Sequence, residues 1–400
     1  MQPAALSDGG LRWPRRDVLR LNTPAAWLVW AIAFAILCLV YLSALFSLGD
    51  GGGAFSGWFV TDGITLFNAA LDDAEIPMSE LFAQYDAAAG LAVLNAVLVG
   101  THSMLPALFN FMLLLVVFGS LARYRGGWPV ALMLLTPYYL VSLPLPSKDV
   151  VVLALFVLAV DWFASERSWR FAIASIIALA TFFVRDGFAA ILLLSFGFVA
   201  VVEHTKVPRS LALMGALLAA SVFWVFFERV FQESFLYVRA MGVAEQGLTL
   251  GAESSALPSG YLMRLLGNAT NLAFRPVLFD TEGRIHVLSL SYWVSGITLL
   301  YALGCCLRAV HSPHAHDHRL AMVGLLSLLL VSVTPYVQPR YLLPLCLLVP
   351  AFSFASMRHL LRSLLWLVPM ALAASLAYRL GNNYPPAAEP VAFSLAVLLP

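Results

Sequence analysis

PAAWLVWAIAFAILCLVYLSALFSL, residues 24–48, is an unbroken apolar run without a charged side chain. Wound as an α-helix it is long enough for the roughly 30 Å hydrocarbon core of a bilayer. The run is too long for the core of a signal peptide, and no small-residue cleavage site accompanies it. It therefore reads as a retained transmembrane helix. Residues 1–26 ahead of it carry Arg12, Arg15, Arg16 and Arg20, and basic residues beside a first span hold that end in the cytoplasm.

The rest of the chain repeats this pattern. Of 400 residues, 61% are apolar and 11% charged, against roughly 25% charged in an ordinary soluble domain. Long apolar runs alternate with short charged clusters, as in a set of membrane helices rather than one buried core. The roughly 10-residue alternating segments of a membrane β-barrel are not found. The expected fold class is all-α: a polytopic transmembrane helical bundle of about 11 to 12 spans, read as a single membrane domain over residues 1–400. A formal net charge of +1 gives no electrostatic case for nucleic acid. Cys38, Cys305, Cys306 and Cys346 all lie inside apolar runs, which suggests helix packing or lipid burial rather than a disulfide framework or zinc site.

Loop charge sets the expected topology. Residues 49–87 hold Asp50, Asp62, Asp72, Asp73, Glu75, Glu80 and Asp86 and no lysine or arginine, in keeping with a non-cytoplasmic location. Residues 88–101 are apolar but short for a span and read as an interfacial or re-entrant helix, so 49–103 forms the first outer loop. Further spans are expected at 104–122, 128–145, 149–165, 169–184, 186–203, 209–227, 286–308, 319–337, 341–357 and 361–379, with the apolar stretch 391–400 as part of another. The inner turns then carry Arg123/Arg125, Arg167/Arg170, Lys206/Arg209, Arg308 to Arg319, and Arg358/Arg362, each basic as the insertion bias requires.

The same count leaves unusual polar groups outside: Asp62, Lys148-Asp149, Arg185-Asp186, a long loop over 228–285, and Pro339-Arg340-Tyr341. Cations outside run against the insertion bias and need a reason. For Asp149 and Asp186 one reading is a helix cap with a local ion pair, since an acid favours the positive end of a helix. For Lys148, Arg185 and Arg340 together the reading is an anion site, because a guanidinium grips two phosphate oxygens and a lysine adds a point charge. Asp62, beside Trp58 and Phe59, reads either as a helix N-cap or as a general base. Asp72, Asp73 and Glu75 are expected to be solvated surface. His311, His314, His316 and His318 with Asp317 fall in an expected cytoplasmic loop at irregular spacing, which speaks against a zinc site. Pro344 and Pro350 are expected to kink the late span and open a groove. In the long outer loop, Arg239, Arg264, Arg275 and Arg284 alternate with Tyr237, Tyr261 and Phe274, either as a lid over sugars or as a packed surface.

These features together resemble the GT-C superfamily of polytopic membrane glycosyltransferases, which use polyprenyl-phosphate-linked sugars. The resemblance rests on the acid of Phe59-Val60-Thr61-Asp62-Gly63 in the first outer loop, followed by a juxtamembrane helix. It rests also on the charged outer turns Lys148-Asp149 and Arg185-Asp186, and on a late Arg340-Tyr341 with spaced prolines. It implies Asp62 as catalytic base, Lys148, Arg185 and Arg340 as donor-phosphate contacts, and Asp149, Asp186 and Tyr341 in support. The chain departs from the family in having Asp62-Gly63 where many members show two adjacent acids, and it is expected to lack a soluble C-terminal domain.

The expected activity is inverting transfer of a sugar from a polyprenyl-phosphate-linked donor to a glycan or lipid acceptor. This would occur on the outer, periplasmic face of a bacterial inner membrane, in assembly of cell-surface polysaccharide or glycolipid. The sequence indicates no cofactor, and a divalent metal stays open. Two alternatives stay beside it: a Wzy-like polysaccharide polymerase, and a transporter or flippase of lipid-linked substrates, which would place ionisable residues mid-span in broken helices. Asp161 is the acid closest to that pattern.

Overall fold

The computed structural model describes residues 69–102 in part, 105–125, 147–232, 287–333 and 339–352, with isolated positions between 261 and 269 and at 365 and 369. All regular structure among the described residues is helical. The α-helices are α1 (Ala89–Thr101), α2 (Leu105–Arg125), α3 (Lys148–Ala164), α4 (Arg170–Ala180), α5 (Asp186–Thr205), α6 (Arg209–Gln232), α7 (Val287–Ala309) and α8 (Ala315–Val333). Two 3₁₀ segments, Thr181–Phe183 and Pro339–Ala351, complete the described elements. The expected spans at 24–48 and 128–145, most of 228–285 and 361–379, and the stretch 391–400 lie outside the described residues.

Within the described residues, the runs expected as helices between 104 and 337 correspond to α2 through α8. The short run at 88–101 is α1, whose 13 residues extend only about 20 Å. Two of the segments, Gly187–Thr205 and Ala315–Val333, are long and apolar enough to cross a membrane. Helix α5, with 20 residues, is about 30 Å long.

Helix α3 lies at the centre of the packing, against α2, α4, α5, α8 and the Pro339–Ala351 segment. Its side chains are buried at most positions from Val150 to Ala164. Helix α4 buries only Ala174 and Ala178, one helical turn apart, and packs against α3 and α5. Small side chains at this spacing let two backbones approach closely and leave the rest of the helix facing away. Between α3 and α5, the Phe163 and Phe196 rings stack with centroids 4.4 Å apart and planes 11° from parallel. Helices α7 and α8 meet at Gly324, where a Cβ would lie 3.0 Å from the Cys306 sulfur. Cys305, Cys306 and Cys346 are free and buried, as the packing reading anticipates.

From α3 to α5, each helix starts at the end of the array where the previous one stops. The first residues of α3 and α5 and the start of Pro339–Ala351 meet at one end of the array, where Arg185 touches both Asp149 and Tyr341. The last residues of α3, α5 and α7 meet the first residues of α4, α6 and α8 at the other, joined by Arg170, Glu203, Arg209 and Arg319. These are called the Arg185 end and the Glu203 end below.

Three expectations are corrected. Helix α8 begins at Ala315 rather than near 319, because Asp317 and His318 are buried and paired instead of solvated. The 341–357 run is a 13-residue 3₁₀ segment over Pro339–Ala351 containing Pro344 and Pro350. Those prolines remove two donors from any α-helical ladder, and the tighter winding draws the segment out to about 26 Å. Its side chains from Leu342 to Phe352 are buried against α2, α3, α7 and α8, so this stretch packs as core. Finally, Asp73 is buried at 7% exposure, while Asp72 and Glu75 are exposed as expected.

Candidate functional site

The Arg185 end is built from the helix starts upward. Ser147, in extended conformation, caps α3 by accepting the Val150 N–H on its Oγ at 3.3 Å, satisfying one of the orphan donors of the first turn. The cap sets Lys148 as the first residue of α3 and Asp149 in its first turn. Arg185 follows the Thr181–Phe183 turn, its N–H donating to the Thr181 carbonyl at 2.7 Å, and stands at the N-cap of α5 without a side-chain cap bond. Its guanidinium is thereby directed at a neighbour rather than spent on its own helix.

That neighbour is Asp149. Arg185 Nη1 donates to Asp149 Oδ1 at 3.3 Å, with both side chains 13% exposed. The guanidinium carbon also lies 4.0 Å from the centroid of the Tyr341 ring, close enough for a cation–π contact. Tyr341 is fixed in turn by an edge-to-face contact with Phe188 at 6.0 Å, and Phe188 by another with Phe156 at 6.4 Å. A guanidinium carries five N–H donors. Among the described residues its side chain makes one hydrogen bond, to Asp149.

Residues remote in sequence are thus brought together: Asp149 on α3, Arg185 before α5, and Tyr341 in the 3₁₀ segment. Lys148 is half-buried beside Asp149. Asp186 opens α5 and Arg340 precedes Tyr341, although their side chains lie outside the described set. Asp62 lies outside the described residues altogether. Lys148, Arg185 and Arg340 stand at the starts of α3, α5 and Pro339–Ala351, where backbone dipoles favour an anion and Asp149 and Asp186 offset part of the positive charge. The ion pair expected within each Lys-Asp or Arg-Asp turn is found instead between turns, from Arg185 to Asp149. It can hold a guanidinium nearly immobile with donors to spare for an oxyanion.

The Glu203 end holds a network that the residue-by-residue reading missed. Glu203 accepts from Arg170 at 2.9 Å and from Arg319 Nε at 2.6 Å, and its Oε1 lies 3.3 Å from His318 Nε2. Arg319 Nη1 also donates to the carbonyls of Ala164 and Ser165, and Arg209 Nη1 to those of Val310 and Ser312. These are the carbonyls at the ends of α3 and α7, which no helix of their own satisfies. Ser312 Oγ donates to Asp317 at 3.1 Å. The available signal was Glu203 standing at the end of an apolar helix beside turns rich in arginine. Between the ends, Ser120 on α2 donates to the buried Asp161 on α3 at 2.5 Å. No group of three or more His, Cys, Asp or Glu side chains among the described residues is placed to hold a metal ion.

Of the long-loop aromatics, Tyr261 is described and fully buried, its hydroxyl donating to the Leu329 carbonyl at 2.8 Å. Burial pushes its phenol pKa up. It packs with Trp224 and Val333, which favours a packed surface over a lid at this position. Arg239, Arg264, Arg275, Arg284, Tyr237 and Phe274 lie outside the described residues.

No family model, curated protein or solved structure matches the chain.

Proposed function

We propose that the chain is a multi-pass membrane glycosyltransferase. It would take a sugar from a polyprenyl-phosphate-linked donor at the Arg185 end and pass it to a glycan or lipid acceptor. The membrane part of the reading is supported by apolar side chains left exposed on consecutive helices: Ile176 and Leu179 on α4, Leu194 and Val201 on α5, Leu211, Met214 and Leu218 on α6. Water would penalise such surfaces, whereas lipid accepts them. The N-terminus is read as cytoplasmic, which puts the Arg185 end on the outer, periplasmic face of a bacterial inner membrane.

The observation that carries the transferase reading is Arg185, stacked on Tyr341 and held by Asp149 at a shared set of helix starts. In the proposed reaction Asp62 accepts the proton of the acceptor hydroxyl, whose oxygen attacks the anomeric carbon. The bond from that carbon to the phosphate oxygen breaks with inversion, and the electron pair leaves on the lipid phosphate. Arg185, Lys148 and Arg340 stabilise that charge as it develops. A Wzy-like polymerase would use the same anion contacts with a lipid-linked glycan as donor. A transporter reading draws on the buried Asp161, but α3 runs unbroken through that residue, unlike the interrupted helices such carriers use.

The deciding experiment supplies membranes containing the full chain with a polyprenyl-phosphate sugar and follows transfer. Asp62→Asn and Arg185→Ala are each expected to abolish it while the protein remains folded; full activity in either variant would overturn the corresponding role. Cysteine labelling at Ser147, Gly187 and Gln338 is expected from the periplasmic side, and labelling only from the cytoplasm would overturn the topology.

A further inference from the structure

Arg167 lies in the turn between α3 and α4 at the Glu203 end, yet stands apart from the Glu203 network. Its guanidinium carbon is 4.7 Å from the centroid of the Trp162 ring, and its side chain is exposed. Stacking on the ring limits the rotamers of a long side chain, so less freedom is lost when its N–H edge meets an anion.

Two residues further on, Trp169 is 73% exposed and stands at the N-cap of α4. The helix it opens turns Ala174 and Ala178 to its neighbours and leaves Phe171, Ile176 and Leu179 exposed at 45%, 67% and 52%. Ile176 and Leu179 lie seven and ten residues beyond Trp169 and share its face of the helix, whereas Phe171 turns toward Phe163 of α3. An apolar stripe over Ile176 and Leu179 therefore ends at an exposed indole with a pinned guanidinium beside it. The exposed charges at this end include Arg167, Lys206 and Arg308, with Glu166 the exposed acid among the described residues there. Lys206 closes α5 in the left-handed region at φ 56°.

We infer that Arg167 and Trp169, with Lys206 at the same end, form a binding site for the headgroup phosphate of an anionic phospholipid whose acyl chains lie along Ile176 and Leu179. The inference rests on the membrane reading but not on glycosyl transfer. An indole at headgroup level and a cation for the phosphate divide the recognition between apolar and charged parts. The guanidinium suits the phosphate because it presents two parallel donors.

The test uses the full chain in neutral detergent, with phosphatidylglycerol, phosphatidylcholine or inorganic phosphate added and retained lipid read by native mass spectrometry. Phosphatidylglycerol is expected to be retained over phosphatidylcholine by about fivefold or more. Arg167→Gln removes that preference, and Arg167→Lys, which keeps charge but not the flat stack, keeps part of it. Equal retention of the two lipids, an unchanged preference in Arg167→Gln combined with Lys206→Gln, or full displacement of the lipid by inorganic phosphate would each overturn the site. Carbonate extraction of the native membranes separates the two levels. Release of the chain would strike the membrane reading itself, whereas retention without lipid preference strikes only this inference.

Discussion

The two ends of the helical array use the same chemistry to different completion. At the Glu203 end, one carboxylate is shared by Arg170, Arg319 and His318, and Arg209 and Arg319 donate to helix-end carbonyls. Most side-chain donors there meet acceptors fixed within the protein, Arg170 Nη1 being buried without one, which ties α3 to α8 and the α7–α8 turn to α6. At the Arg185 end the guanidinium is equally well positioned, but by one hydrogen bond and one aromatic face. The first arrangement is a clasp. The second holds a cation in place while spending little of its hydrogen-bonding capacity, which is what a phosphate-bearing substrate requires.

Arg185→Ala is the strongest test of that contrast. Loss of a preorganised donor to developing negative charge costs about 10²- to 10³-fold in rate, so transfer from a polyprenyl-phosphate sugar should fall by that much with little change in unfolding temperature. A large loss of stability with a small loss of activity would make the Arg185 end a clasp as well. Glu203→Ala should show the opposite profile. It leaves Arg170 and Arg319 without their shared carboxylate at a largely buried site, a loss of about 2 to 4 kcal/mol, seen as a lowered unfolding midpoint in detergent.

Gly324→Leu probes the packing that joins α7 to α8 rather than either charge cluster. With a Cβ already only 3.0 Å from the Cys306 sulfur, overpacking is expected to cost about 1 to 3 kcal/mol, measured by thermal unfolding. The smallest effect is expected for Arg209→Lys. The charge remains, but one Nζ reaches the Val310 and Ser312 carbonyls less well than a guanidinium fork, for a loss of about 1 kcal/mol. A much larger loss would mean that Arg209 carries more of the clasp than its two carbonyl contacts account for.

Much of the helix layout was legible because hydropathy reports each segment separately. Helix α3 was expected from 149 and begins at Lys148; α5 was expected from 186 and begins there. Legibility failed where a polar residue is buried by a partner distant in sequence. Asp317 and His318 read as loop because charge usually means solvent, yet Asp317 accepts from Ser312, His318 Nε2 meets Glu203, and α8 extends around them. Asp73, also read as solvated, is buried as well. Pro344 and Pro350 announced a disturbed helix, but nothing local distinguishes a kink that opens a groove from a 3₁₀ segment packed as core.

For the site, residue types could be read, whereas partnerships could not. Arg185 and Tyr341 are separated by the whole of α5 through α8, and no spacing rule links a guanidinium to a ring that far along the chain. Glu203 was passed over because a lone acid at a helix end ordinarily marks solvent.

By itself the sequence determined a strongly apolar chain, the helical character and limits of most described elements, and the collection of its unusual cations into separate turns. These follow from local free energies of burial and from backbone hydrogen bonds satisfied within each segment. Only the tertiary structure decided that Asp149, Arg185 and Tyr341 meet while Glu203 gathers Arg170, His318 and Arg319. Ion pairing and ring stacking depend on distance in space, and that distance is set by how small residues such as Ala174, Ala178 and Gly324 let the helices approach.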